Sequence, residues 1–290
     1  MPSAAVPRLF LGLPAPAKLN LFLHVVGRRA DGYHELQSVF VPIDLADTLD
    51  FESRSDGAIE RSGDVIGDVE RDLAVRAARL LQAESKTALG VSIHVEKRIP
   101  AGSGMGGGSS DAATTLIALN RLWNLHWPRE RLAALALRLG ADVPFFVGPG
   151  PAFVEGVGER LTRIDWPRAY FAVVHPQVAV STAEIFADPG LTRHAKLTTM
   201  PAFSAELDAS PRTLFGANDL EAVVRRRVPA IDAALRRLAR FGPARMTGSG
   251  SAVFVPVESE ERARAAIADL PDGWSGWAVC SLTEHPLAAW

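Results

Sequence analysis

The segment Pro100-Ala101-Gly102-Ser103-Gly104-Met105-Gly106-Gly107-Gly108-Ser109-Ser110-Asp111 constrains the fold of this chain more than any other. Five glycines fall within residues 102–108, and Ser-Ser-Asp then opens an apolar helical pattern. Glycine lets backbone N–H groups approach an anion closely and tolerates φ > 0. A helix start adds unpaired N–H groups and the positive end of a dipole. Together they form a cradle for phosphate. A plain strand-to-helix turn is usually served by two glycines.

The elements around this loop are legible from periodicity. Val91, Ile93 and Val95 alternate with Ser92, His94 and Glu96, a half-buried strand leading into the loop. Ser109–Leu122 is expected to be a helix with Ala112, Ala113, Leu116 and Ile117 inward. Strands are expected over Leu19–Val26, Glu35–Ile43, Thr48–Glu52, Phe153–Glu155, Tyr170–His175, Ala252–Val257 and Trp277–Ser281. Helices are expected over Asp72–Ala83, capped by Asp72, over Arg129–Leu139, stopped at Gly140, and from Ser259, as N-cap, to Asp269. Asp219–Phe241 reads as a long helix interrupted at Pro229. Residues 189–211 are weakly patterned. Strands with interspersed helices indicate an α+β fold.

Composition narrows the function classes. A net charge of −2 gives no global field toward nucleic acid or anionic membrane. The single cysteine, Cys280, excludes an intramolecular disulfide and fits a cytoplasmic setting. Met1–Arg8 lacks a basic start followed by an apolar core, and no run of about 18 apolar residues exists. The histidines show no H-x-x-x-H or H-E-x-x-H spacing for zinc. No nucleic-acid or membrane partner is therefore expected, and the oligomeric state stays open.

Three phosphate loops compete. Gly102–Gly107 satisfies G-x-G-x-x-G, but the dinucleotide fingerprint also needs a second strand ending in an acidic residue about 20 positions on. Leu122–Glu130 contains no such strand. A P-loop needs Gly-Lys-Ser/Thr, and here Ser109 follows Gly108. A third kind of ATP loop remains, in which serine hydroxyls can meet phosphate or Mg²⁺.

Four other segments carry candidate chemistry. Lys18 and Asn20 alternate with Leu19 and Leu21, so they share one strand face. Lys18 reads either as a solvated strand-end charge or as a cation beside a reacting hydroxyl. Asp31-Gly32-Tyr33-His34 is either a surface turn or a base-stacking platform with a hydrogen-bonding imidazole. Asp142 follows a helix stop and precedes an apolar run. It is either a cap or a general base. Thr247-Gly248-Ser249-Gly250-Ser251 is either a hairpin turn or a second backbone surface against phosphate.

Taken together and in order, Pro16–Asn20, Pro100–Asp111, Gly140–Pro144 and Thr247–Ser251 resemble the GHMP kinase superfamily. Ala30–Ser38 and Phe153–Glu159 narrow the resemblance to its cytidylyl-alcohol branch. The resemblance implies two lobes: a ribosomal-protein-S5-like N-terminal lobe over residues 1–160 and a ferredoxin-like C-terminal lobe over 161–290. It implies transfer of phosphate from ATP, with Mg²⁺, to the 2-hydroxyl of a cytidylyl methylerythritol in the non-mevalonate isoprenoid pathway. ATP phosphates would lie on Pro100 to Ser110, Asp142 would be the base and Lys18 its cationic partner. Tyr33 and Phe186 would sandwich cytosine and His34 would bond it. Asn20, Phe40, His175 and Thr182 match positions lining the substrate pocket.

The chain departs from this pattern at three positions. Asp72 stands where many relatives carry asparagine near adenine, and an ionised aspartate cannot donate. Met105 replaces a common leucine, a mild change, and Ala183 stands where some relatives have proline. No magnesium ligand set is assigned, with Ser110 a candidate. Two other readings stay open: a GHMP kinase for another alcohol, such as homoserine or a mevalonate derivative, and a non-catalytic nucleotide binder on the same fold.

Overall fold

The computed structural model describes residues 9–200, 202–203 and 214–290. Met1–Arg8 and parts of the weakly patterned stretch, residues 201 and 204–211, lie outside the described residues. Two long strands organise the first lobe, β1 (Leu9–Arg28) and β2 (His34–Arg54). They pair antiparallel along their length through a turn at Asp31-Gly32. The segments Glu35–Ile43 and Thr48–Glu52, expected as two strands, are one strand. Register shifts between Phe10 and Leu13, at Pro16/Ala17, between Asn20 and Leu23 and between Val25 and Gly27 keep the pair continuous.

On its other edge β2 takes two partners. Residues Thr48–Arg54 pair with β4 (Gly90–Glu96), and Leu36–Phe40 pair with β5 (Ala152–Gly156). Two short outer strands were not evident from periodicity: β3 (Ile59–Gly63), parallel to β4, and β6 (Arg160–Arg163), antiparallel to β5. Five and four residues with mixed polarity carry too little alternation to stand out. Four helices cover this sheet: α1 (Leu73–Ser85), α2 (Gly107–Leu122), α3 (Arg129–Leu137) and α4 (Val143–Val147). Asp72 caps α1 as expected, its side chain accepting from Ala74 N.

The second lobe is a four-stranded antiparallel sheet of β7 (Tyr170–His175), β8 (Arg245–Met246), β9 (Val253–Val257) and β10 (Ser275–Cys280). Its spatial order is β10-β7-β9-β8. That order is the ferredoxin-like one. Between β7 and β8 run α5 (Thr182–Ala187), α6 (Glu221–Arg227) and α7 (Pro229–Leu238), and α8 (Glu260–Ile267) joins β9 to β10. Pro229 ends one helix and begins the next, as a residue without an N–H must. The two-lobed α+β architecture is the one expected.

Three cores hold these layers. One lies between the first sheet and α1–α4, and one between the second sheet and α6–α8. The third is the seam between the lobes, where Leu19, Leu21, Phe22, Val39 and Val41 meet Phe171, Val173 and Phe254. β1 and β2 are thus buried on both faces, which explains the unbroken apolar run Leu21–Leu23. Phe22 is wholly buried in the seam, 4.9 Å from the Phe215 ring and 6.1 Å from those of Phe153 and Phe203. Phe22→Ala is expected to destabilise the protein by about 3–5 kcal/mol in denaturant unfolding. A loss within about 0.5 kcal/mol, as for a surface site, would contradict the seam.

Candidate active site

The lobes meet around a cavity of about 510 Å³. Its floor is the glycine loop. Helix α2 starts at Gly107, two residues before the expected Ser109, because Gly106 takes the N-cap position at φ +77°. The first-turn N–H groups have no acceptor within the helix. Gly107, Gly108 and Ser109 line the cavity together with Pro100, Ala101, Gly102, Ser103, Gly104 and Gly106. Met105 and Ser110 do not. They are fully buried, Met105 in the seam and Ser110 in α2.

The glycines are required from behind as well as in front. A Cβ on Gly104 would lie 2.3 Å from Thr247 O, and one on Gly106 would lie 2.9 Å from the Phe146 ring. The second glycine segment packs directly on the first. Ser251 N donates to Gly102 O at 3.2 Å, and Ala252 N donates to Ser103 O at 2.9 Å. Gly248, Ser249 and Gly250 complete the cavity wall. The segment therefore forms the turn between β8 and β9 and also presents backbone to the cavity.

Lys18 and Asp142 come together here from distant parts of the chain. Lys18 Nζ lies 3.5 Å from Asp142 Oδ2, with the lysine buried and the carboxylate open to the cavity. Asp142 stands at the N-cap of α4 but makes no capping bond. Its side chain is turned instead toward Lys18. The ammonium also donates to Asn20 Oδ1 and lies 4.6 Å from the centre of the Phe40 ring. Asn20 Nδ2 donates to Ser38 Oγ at 3.0 Å, and Ser38 donates in turn to Phe22 O. This chain of donors leaves the Asn20 oxygen for Lys18. Burial lowers the Lys18 pKa, against the opposing charge and hydrogen bond of Asp142.

The expected substrate residues divide. Asn20, Phe40, Thr182 and Phe186 line the cavity, and Thr182 Oγ1 shares a 2.6 Å hydrogen bond with Ser249 Oγ. His34 stacks on Phe186 with centroids 4.9 Å apart at 26°, and accepts from Arg193 Nε at 3.3 Å. Burial, then the charges of Arg193 and Arg28, lower the His34 pKa. Tyr33 is 66% exposed at the β1–β2 turn and stands outside the cavity lining, so Phe186 faces His34 rather than Tyr33. His175 does not reach the cavity either. It ends β7 beneath the second glycine segment, with its Nε2 2.8 Å from Ser251 Oγ. Burial lowers its pKa.

Other cavity residues escaped the sequence reading. Arg61, on the unexpected strand β3, donates from Nε to Asp72 Oδ2 at 2.9 Å. Asp72 Oδ1 meanwhile accepts from Ala74 N at 2.8 Å. The aspartate that cannot donate is thus paired with a side chain that can. Lys97 bridges Asp111 Oδ2 at 2.6 Å and Asp47 Oδ2. Burial acts to lower the Lys97 pKa, but Asp111 and Asp47 outweigh it and leave it raised. Burial raises that of Asp111, against the Lys97 charge. No sequence signal marked Arg61, because β3 itself was not visible. Lys97 had only its nearness to the loop.

A glycine-rich helix start lining the cavity, a lysine–aspartate pair at its edge and a ferredoxin-like second lobe are the features of a GHMP kinase. Residues 72–150 match the GHMP kinases N terminal domain, and residues 200–276 match the GHMP kinases C terminal region. At 54% identity over 290 residues, the chain resembles a 4-diphosphocytidyl-2-C-methyl-D-erythritol kinase of Ralstonia nicotianae, with 99% of each covered. The enzyme of the same name from Aromatoleum aromaticum is 51% identical over 100% of this chain and 99% of its own. A crystal structure of 4-(cytidine 5'-diphospho)-2C-methyl-D-erythritol kinase superposes with a TM-score of 0.81 at 37% identity, covering 94% of this chain and 99% of that one. Mevalonate kinase of Methanococcus jannaschii shares the fold, with a TM-score of 0.67 at 17% identity over 97% of this chain and 100% of its own. The chain belongs to the 4-diphosphocytidyl-2-C-methyl-D-erythritol kinase family.

The two glycines at the loop crest separate strain from collision. Gly102 and Gly104 have φ of +66° and +78°, but a Cβ on Gly102 would meet nothing within 4 Å. Gly102→Ala is expected to cost only the left-handed strain of about 1–2 kcal/mol. Gly104→Ala is expected to lower Tm further and to weaken nucleotide binding, checked by thermal melts and titration calorimetry. Equal effects of the two substitutions would contradict the interlock with Thr247. The buried ammonium sets a pH limit as well. Activity that needs the Lys18 cation is lost as pH rises through its lowered pKa, so the alkaline limb of kcat is expected below the ordinary lysine value of 10.5. In Lys18→Arg the residual rate should lose that limb, since guanidinium stays protonated. An unchanged limb would assign it to another group.

Proposed function

We propose that this protein transfers the γ-phosphoryl group of ATP to the 2-hydroxyl of 4-diphosphocytidyl-2-C-methyl-D-erythritol. The Lys18–Asp142 pair at the edge of the glycine cradle carries this reading. The acceptor is a tertiary alcohol and attacks poorly while it holds its proton. Asp142, open to the cavity, accepts that proton. Lys18, held from behind by Asn20, orients the carboxylate and offsets charge near the acceptor oxygen. General-base catalysis contributes about 10²–10⁴-fold. First-turn N–H groups of α2 stabilise charge on the phosphates, and positioning supplies the remainder.

Asn20, Phe40 and Thr182 support the acceptor end of the pocket. The cytosine ring is assigned to the Phe186 wall of the cavity, with His34 stacked on Phe186 and Tyr33 on the adjoining turn. The Arg61–Asp72 pair and Lys97 line the same cavity and are assigned to the nucleotide. His175 acts from beneath, through Ser251.

Mg²⁺ would be held at Asp111, which lines the cavity and whose Oδ1 is buried with no hydrogen-bond partner. Ser110 Oγ is also unpartnered but stands outside the cavity lining. Among the described residues no cluster of three or more histidine, cysteine or acidic side chains forms a cage, so phosphate oxygens would complete the coordination. The bound ion would neutralise charge on the β- and γ-phosphates. The near-neutral net charge supports a small-molecule substrate, and the single buried thiol supports work in the cytoplasm. We place the division between lobes after β6 rather than at residue 160, because Arg160–Arg163 still pairs with β5 in the first sheet and the second sheet begins at Tyr170. Leu287, by contrast, packs in the first-lobe core, so the C-terminal tail returns to that lobe.

ADP release with Mg-ATP and the cytidylyl acceptor tests the assignment. Wild type is expected to turn over, and Asp142→Asn to lose about 10²–10⁴-fold in kcat. Near-normal turnover by the variant would overturn the base assignment. Faster phosphorylation of homoserine or mevalonate would overturn the acceptor.

A further inference from the structure

The chain of donors behind Lys18 does not end at Asn20. Thr247 Oγ1 accepts from Asn20 N at 2.9 Å and donates to Asn20 Oδ1 at 3.2 Å. One hydroxyl of the second lobe thus reads both the backbone and the side chain of Asn20. The carbonyls on either side of Thr247 are held by a single group. Asn218 Nδ2 donates to Met246 O at 2.7 Å and to Gly248 O at 2.8 Å. Asn218 Oδ1 accepts from Leu220 N at 3.0 Å, which settles which end of the amide faces the carbonyls. All three bonds are buried.

The backbone of Asn218 is anchored too. Residues 217–219 lie against the edge of β1 just past its irregularity between Asn20 and Leu23. Leu23 N donates to Ala217 O at 2.9 Å, and Asp219 N donates to Leu23 O at 2.8 Å. The Asp219 carboxylate adds a bond from Val25 N at 2.7 Å. Asn218 is therefore fixed to the same strand that carries Lys18 and Asn20, while its side chain grips the opposing loop.

We propose that Asn218 is a positioning residue for phosphoryl transfer. It sets the seat of Thr247 on Asn20, and through Asn20 the orientation of the Lys18 ammonium beside Asp142. A relay of this kind matters because small displacements of reacting groups, even from a distant substitution, can reduce rate about 100-fold. The inference rests on the reading of Lys18 as the cation at the acceptor. Wild-type turnover with the cytidylyl acceptor tests that reading. The ratio of variant to wild-type kcat, with whichever acceptor is turned over, tests the relay.

The variants are Asn218→Ala, Asn218→Asp, Thr247→Val and the Asn218→Ala/Thr247→Val pair. Asn218→Ala is expected to lower kcat about 10- to 100-fold. KM for ATP should change less than about threefold, as for an interaction felt in the transition state. Asn218→Asp, which sets a carboxylate against two carbonyls, is expected to be worse. Thr247→Val should lower kcat similarly, and the double variant should lose little more than either single one, because both cut one network. Thermal melts separate loss of fold from loss of rate. Should Asn218→Ala fail to fold, Thr247→Val decides alone. Unchanged kcat in a folded Asn218→Ala or Thr247→Val protein, or losses that multiply in the double variant, would overturn the proposal.

Discussion

An ammonium group buried between two lobes sets the terms for everything around it. Removing a charge from water costs several kcal/mol unless partners replace the solvent. Lys18 has three such partners, and each arrives on a different element. Asn20 comes from its own strand face, the Phe40 ring from β2, and Asp142 from the start of α4. The β1–β2 ladder must run in this register for the first two to meet, since a one-residue slip would turn Lys18 into the seam. The third requires α2–α4 to pack on the sheet and present α4 at the cavity.

The glycine loop depends on this frame. Its conformation is held by the second glycine segment pressing from the other lobe. Gly104 is small because Thr247 O is behind it, and Gly106 because Phe146 and Lys18 are. Two glycine-rich stretches far apart in the chain therefore interlock through main-chain contacts. Side chains would hold them apart. The same segment ties the lobes together, because Thr247 bonds Asn20 while its flanking carbonyls are gripped by Asn218.

Much of this was readable before any coordinates. Helices with strong periodicity or clear caps, such as Leu73–Ser85 behind Asp72, stand where expected. So does the break at Pro229. The pairing of Lys18 with Asp142 was implied only by resemblance. Each residue alone fitted a solvated charge or a helix cap. β3 and β6 were hidden because short outer strands bury little and alternate weakly. Arg61 was hidden with β3, although it answers the unusual Asp72. Tyr33 and His175 were expected at the pocket and stand elsewhere, one at the tip of a turn and the other beneath a loop.

By itself the sequence determined what depends on local chemistry. Glycine spacing demanded close backbone approach, absent motif residues excluded two phosphate loops, and strand alternation put Lys18 and Asn20 on one face. Only the tertiary structure decided which distant groups meet. The Asp142 side chain abandons its cap for a buried cation, and Asn218 grips the carbonyls on either side of Thr247, whose hydroxyl meets Asn20 across the lobe boundary. Those choices follow from burial. A charge or amide withdrawn from water must find its partners among whatever the packed chain brings within about 3 Å, and no local pattern specifies what that will be.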